Sequence, residues 1–346
     1  MFIRNSWYVA AAAHELGNAP LGRTVCGEPL VFFRNAAGQA VALEDWCPHR
    51  GAPLSLGRVV DGRLICGYHG LEMGCDGRTV SMPGQRVRGF PPIRSIPVAE
   101  YAGFVWVWPG DPALADRRAL PSLPWADNDG WAFGGGIYHV RCNYRLMIDN
   151  LMDLTHETYV HADSIGQQEI DETPCITRTE GDTVTTSRLM TSVTAPPFWK
   201  AAMEAHGLNP AEPVDRWQLC RFSPPSHVMI EVGVALAGHG AREAPPASRV
   251  SSVVVDFITP EDDGSMWYFW GMARDYRPDD QALTERIREG QGRIFGQDME
   301  VLERQQANLA RWPERRIMSL NIDSGSVMAR RIIDRIAAAE GTALAA

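Results

Sequence analysis

Four residues in the first third of the chain have the types and spacing of metal ligands. Cys47 and His49 flank Pro48, and after sixteen intervening residues Cys66 and His69 flank Gly67 and Tyr68. Each short loop therefore offers one thiolate and one imidazole. Zinc fingers and ribbons usually group like with like. Mixed pairs instead let two cysteines hold one iron and two histidines the other, the asymmetric ligation of a Rieske [2Fe–2S] centre. Neutral imidazole in place of thiolate leaves the cluster less negative and easier to reduce. Pro48 and Gly67 suit tight loops whose backbone approaches the sulfides. Cys75 has no histidine beside it and reads as a buried or half-exposed thiol. Cys26, Cys142, Cys175 and Cys220 read as core.

A second group lies between Asp149 and His161, where five carboxylate or imidazole side chains fall within thirteen positions. On a continuous helix Asp149, Asp153 and His156 share one face. His161 would sit about 140° from His156, so the two converge only if the helix ends or distorts between them. Two histidines and one carboxylate make the facial triad of a non-haem iron site, with open positions left for dioxygen. The carboxylate need not be local. Ile287, Ile294, Leu302 and Gln305 mark a core-facing stripe on a late helix, and Asp298 lies on it. A carboxylate on an apolar stripe is costly unless paired or metal-bound. Asp298 is read as the third ligand, with pairing to an arginine as the ordinary alternative. Glu300 and Glu303 point away from the stripe and read as solvated.

These groups need two kinds of scaffold. Residues 1–110 read as strands and turns, with short β-branched or aromatic runs at 30–34, 40–44 and 104–108. Residues 108–130, rich in Pro, Asp and Gly, read as a linker. Beyond it, 144–160 and 281–311 read as helices, as does 325–339. Residues 183–192, 227–236, 249–259 and 265–274 read as strands. The last nine residues read as a frayed tail. The expected division is residues 1–112 for the first domain and 113–340 for the second.

Composition narrows the partners. The 346 residues are 45% hydrophobic and carry a formal charge of −9, which disfavours nucleic acid. The apolar stretch 8–13 is too short for a secretory signal or a membrane span. Seven cysteines with no secretory signal fit a reducing cytoplasm. No G-x-G-x-x-G follows a strand, so NADH is not expected to bind here directly. Phe198, Trp199, Trp217, Phe222 and Met229 could line an apolar slot, and Arg216 or Arg221 could pair with a substrate carboxylate.

The segments CPHRGAPLSLG, CGYHGLEMGCDGRTVSMPGQRVRGFP, YRLMIDNLMDLTHETYVHADSIGQ, TAPPFWKA and WYFWGMAR resemble the Rieske non-haem iron oxygenases. Within that family the likeness is to the branch that O-demethylates vanillate and related methoxylated aromatic acids. It runs over nearly the whole chain. The resemblance implies an α+β chain: an N-terminal antiparallel β Rieske domain and a C-terminal helix-grip (START/Bet v 1-like) domain. It places the cluster on Cys47, His49, Cys66 and His69, and a mononuclear iron on His156, His161 and Asp298. It sets Asn150 near that iron. Spacing alone leaves Asp149 and Asp153 equivalent; the resemblance picks Asp153 as the acid that bridges a cluster histidine to an iron-ligand histidine. It further implies a head-to-tail homotrimer, dioxygen as co-substrate, and a separate reductase bearing flavin and a [2Fe–2S] centre. A Rieske electron carrier without catalysis is the alternative from another class. It would leave His156, His161 and Asp298 idle.

Overall fold

Along the strand Glu28–Arg34, Leu30 and Phe32 turn into one apolar core while Val31 and Phe33 turn into another. Alternation of period two thus buries both faces of a short sheet. This strand lies in the order Leu21–Val25, Glu28–Arg34, Ala40–Glu44, Ser95–Ile96. A three-stranded sheet (Tyr8–Ala12, Phe104–Val107, Val98–Tyr101) and a four-stranded one (Arg58–Val60, Arg63–Ile65, Glu72–Met73, Thr79–Ser81) complete the first unit's strands. The computed structural model describes residues 1–344. It divides into a unit of Met1–Ala126, with Thr259–Asp263 and the chain from Ala337, and a unit of Asp127–Ile258 and Gly264–Ile336.

The Pro- and Asp-rich stretch after 108 carries local order. Asp111 and Asp116 accept from the backbone N–H of Ala113 and Arg118, capping the 3-10 turns Pro112–Leu114 and Arg117–Ala119. One expectation is corrected: the tail does not fray at 338. Helix α6 spans Ser324–Leu344, and the Glu340 carboxylate accepts from the backbone N–H of Arg4 (2.6 Å) and Asn5 (3.0 Å). That anchor on a distant main chain is invisible to local composition. Residues 345 and 346 lie outside the described residues.

The second unit is built on seven antiparallel strands in the order Ala132–Val140, Met266–Arg274, Arg249–Pro260, His227–Leu236, Val214–Ser223, Thr183–Val193, Ile176–Glu180. Its helices are α1 (Tyr144–Met152), α2 (Glu157–Val160), α3 (Glu169–Glu172), α4 (Pro197–His206) and α5 (Gln281–Arg311). Asp280 caps α5 by accepting from Leu283 N–H at 2.9 Å. The helix packs against the strands Ala132–Val140 and Met266–Arg274. Gly292 permits the close approach: a Cβ there would meet the Tyr138 hydroxyl at 3.1 Å and the Trp270 ring at 3.3 Å. The buried stripe of α5 is Leu283, Gln291, Ile294, Phe295, Asp298 and Leu302. Gln305, expected on it, is exposed. The expected single helix over 144–160 is interrupted after Met152 and resumes at Glu157.

Beneath α5 a carboxyl is sealed inside the sheet. Asp256 is fully buried, and the Tyr268 hydroxyl donates to its Oδ1 at 2.5 Å; the Tyr268 ring meets Phe295 edge-on. Burial pushes Asp256 up to about 8 against the pull of that hydroxyl, and the charge of Asp298 adds to the rise. A folded-state value above the unfolded one gives stability that is complete at low pH and lost as pH rises through about 8. Asn at this position keeps an acceptor for Tyr268 and cannot ionise. Asp256→Asn should therefore melt above wild type at about pH 9, with the gap shrinking as pH falls below about 8 and closing only near about pH 4, where the unfolded carboxyl is itself protonated. Calorimetry at the two pH values checks this, and a gap independent of pH rejects it.

Candidate metal centres and the cavity beside one of them

The two ligand loops of the first unit are built alike. Cys47 N–H donates to Ala52 O (2.9 Å) and Gly51 N–H to Cys47 O (2.8 Å). In the second loop Cys66 N–H donates to Leu71 O (2.8 Å) and Gly70 N–H to Cys66 O (3.0 Å). In each loop the fourth residue after the cysteine is a left-handed glycine, Gly51 at φ 68° and Gly70 at φ 73°. Sequence reading had singled out Pro48 and Gly67; the turn itself rests on Gly51 and Gly70.

Both cysteines are buried in the core with Val31, Phe33 and Leu43, and the His49 and His69 rings stand 4.5 Å apart. Burial pushes the Cys47 thiol up, although backbone N–H groups of His49 and Arg50 stabilise its thiolate; the adjacent Cys66 adds to the rise. Buried His49 Nδ1 has no hydrogen-bond partner. Paired thiols, N–H groups aimed at sulfur and an unpartnered ring nitrogen fit a two-iron cluster held by all four residues.

In the second unit the break after α1 creates the other donor set. Asp153 closes α1 and its Oδ1 accepts from Thr155 N–H at 2.7 Å, which turns the chain before α2. His156 and His161 bracket α2. His156 Nδ1 donates to the carbonyl of Asp153 (2.6 Å), and His161 Nδ1 donates to Gln297 Oε1 (2.8 Å). A carbonyl can only accept, so the second ring nitrogen, Nε2, is left with its lone pair. Both Nε2 atoms face Asp298 Oδ1, at 3.4 Å from His156 and 3.1 Å from His161. The three donor atoms lie within 4.8 Å of one another. That is a facial set of two imidazoles and a carboxylate, and it fits a mononuclear divalent metal.

The electrostatics agree. Burial would raise Asp298, but hydrogen bonds and charge from His156 and His161 hold it at about 2. Burial would lower His156, but Asp298 foremost, with Glu157 and Asp153, carries it up to about 9. Asn150 Nδ2 donates to Asp298 Oδ1 at 3.1 Å. The expectation that Asp149 shares a face with this set is not met. Its carboxylate turns to Arg330, with Nε at 2.7 Å.

A cavity opens beside the three donors. Leu151, Ile165, Phe198, Trp199, Ile230 and Phe295 are among its mostly apolar lining residues. Of the apolar residues expected there, Phe198 and Trp199 line it; Trp217, Phe222 and Met229 do not. Trp217 packs instead with Ala235 and Ala244. Arg221 is exposed. Arg216 does line the cavity, yet its charge is already matched. Nη2 donates to Glu157 Oε2 (3.0 Å), Nη1 to Ile165 O (2.9 Å) and Gln167 Oε1 (2.6 Å). Gln218 Nε2 donates to Glu157 Oε1 at 2.6 Å. Sequence reading missed Glu157 and Gln218, because on a regular helix Glu157 gives no sign of facing a strand residue sixty positions on.

Residues 6–99 match the Rieske [2Fe–2S] domain, and residues 140–339 match the vanillate O-demethylase oxygenase C-terminal domain. The chain belongs to the Rieske oxygenases of the vanillate O-demethylase oxygenase family. It is 64% identical to the vanillate O-demethylase oxygenase subunit of Pseudomonas sp. (strain HR199), over 98% of this chain and 96% of that protein. Dicamba monooxygenase bound to 3,6-dichlorosalicylic acid superposes with a TM-score of 0.90 at 34% identity, covering 98% of this chain and 99% of that one. Its form with non-haem iron and dicamba gives 0.83 at 33%, covering 99% of both. Membership makes the chain an oxidoreductase, the oxygenase component of a Rieske monooxygenase, and not an electron carrier alone. The α+β architecture read from the sequence is the family's. Among the described residues no helix is long and apolar enough to cross a membrane.

Removing Arg216 would strand the buried Glu157 charge. Arg216→Ala should cost about 3–5 kcal/mol of stability. Arg221→Ala should stay within about 0.5 kcal/mol. Urea unfolding measures both, and an Arg216→Ala protein as stable as wild type would show that the pair does not hold the wall.

Proposed function

We propose that this chain is the oxygenase component of an aromatic O-demethylase that converts vanillate to protocatechuate and formaldehyde. The observation that carries the reading is the meeting of His156, His161 and Asp298 at the edge of a mostly apolar cavity with aromatic walls. The 64% identity supports vanillate among methoxylated acids. Electrons come from NAD(P)H through a separate reductase that carries flavin and a [2Fe–2S] centre. One oxygen atom of O2 goes to the methyl carbon, which leaves as formaldehyde, and the other to water. The cluster supplies single electrons and the mononuclear iron supplies oxygen activation when they are bound.

The chain's own residues hold and orient. Cys47 and Cys66 take one iron of the cluster, His49 and His69 the other. His156 and His161 bind the mononuclear iron through Nε2 and Asp298 through its carboxylate. Asn150 steadies Asp298 by its amide N–H. The apolar walls exclude water and lay the ring with its methoxy group toward the three donors.

Asp153 is half-buried, with Oδ1 committed to Thr155 N–H and Oδ2 4.0 Å from His156 Nδ1. With both metals bound in a head-to-tail homotrimer, it would stand between the iron ligand His156 and the cluster of a neighbouring copy, where it would bridge the two centres. Asp153→Asn should keep both metals yet lower turnover by about 10–100-fold. Full activity in the loaded variant rejects the bridging role.

With a compatible reductase and NADH, formaldehyde should appear fastest with vanillate in a panel that includes syringate, veratrate and 3-methoxybenzoate. No formaldehyde from any member overturns the reading. Iron analysis should give about three irons per chain. His156→Ala and Asp298→Ala should each lose about one of these while the cluster's visible absorbance stays.

A further inference from the structure

The cavity holds one polar side chain that the protein itself does not use. Gln291 is 6% exposed and lines the cavity from α5. Each polar neighbour makes at least one bond within the protein: Asn150 bonds to Asp298, and Gln218 and Arg216 bond to Glu157. The atoms of these neighbours left without a partner, Asn150 Oδ1 and Arg216 Nε, are themselves sealed. The Gln291 amide makes no hydrogen bond among the described residues, and it is open to the cavity. An amide on a largely apolar wall with no protein partner is a polar group placed to orient a ligand.

Its place on α5 gives a length. Gln291 stands seven residues before Asp298, two turns along one stripe, or about 10 Å of helix axis. Leu283 and Ile287, on the turns before it, pack with Trp199 of α4. Gln291 thus marks the α4 end of the cavity, and the three metal donors mark the other. A single ring whose methoxy group lies at the donors can present a substituent on its far side to Gln291.

We propose that Gln291 is a specificity-determining residue that donates its amide N–H to the carboxylate of the aromatic acid. This rests on the O-demethylase reading above. A neutral donor at that distance selects substrates by the spacing between methoxy group and carboxylate. Arg216, whose charge is matched by Glu157, forms part of the wall and not the anchor.

The test compares vanillate with guaiacol, which keeps the methoxy and hydroxyl groups and lacks the carboxylate. Calorimetric titration of anaerobic holoprotein measures binding without turnover. Gln291→Leu should weaken vanillate and 3-methoxybenzoate by at least about tenfold, the loss of a hydrogen bond to a charged group. Guaiacol binding should change by less than about twofold. Gln291→Glu, which sets carboxylate against carboxylate, should weaken vanillate further than Gln291→Leu and spare guaiacol. Unchanged vanillate binding in Gln291→Leu, or equal losses for guaiacol and vanillate, overturns the proposal, as does a wild type that binds neither acid. Wild type that binds vanillate through Gln291 but releases no formaldehyde from any methoxylated ring would instead overturn the O-demethylase reading.

Discussion

Two imidazoles converge on a single buried carboxylate, and the catalytic unit is arranged around that meeting. His156 and His161 cannot meet on one regular helix, because five residues carry the second ring far around the axis. The chain solves this by ending α1 at Met152 and letting Asp153 fold back on Thr155. The two rings then bracket the short α2, each with its Nδ1 tied to an acceptor and its Nε2 free. Orientation is thus fixed by ordinary hydrogen bonds before any metal is present.

Asp298 reaches the same point from the other side because α5 is laid close against the sheet. The glycine at 292 and the rings of Trp270 and Phe295 set that depth. One helix face then carries Gln291, Ile294, Phe295 and Asp298 to the cavity, in order from its far end to its metal end. The charged wall of Glu157, Arg216 and Gln218 is closed on itself. It shapes the cavity without adding net charge to it.

The first unit solves a different problem with the same economy. Two loops that share one backbone pattern each present a cysteine and a histidine, and buried hydrophobic residues seal the thiols. The left-handed glycines four residues after each cysteine turn both loops back sharply. Repetition of one small motif is enough to define a site for two unlike irons.

The candidate ligands could be picked out of the sequence because their identities are chemically rare and their spacing is mostly local. Cys47, His49, Cys66 and His69 stand in two short loops, and an aspartate on an apolar helical stripe is conspicuous wherever it occurs. The long helix over 281–311 was legible as a run rich in Arg, Gln, Glu and Leu with an apolar stripe at helical spacing. What the sequence left open was every contact made between distant segments. It could not place Arg216 against Glu157, Tyr268 against Asp256 or Glu340 against the amino-terminal backbone, because no local periodicity encodes a partner across the fold. It offered Trp217 and Arg221 for the cavity as readily as Trp199 and Arg216. On the strand Val214–Ser223 alternation separated Arg216 from Trp217 and Arg221, since neighbouring residues on a strand face opposite ways, while Trp199 reaches the cavity from helix α4. Ligand chemistry is written in residue type and short spacing; the shape of the cavity, and which polar groups remain free within it, follow from which side chains tertiary packing has already satisfied.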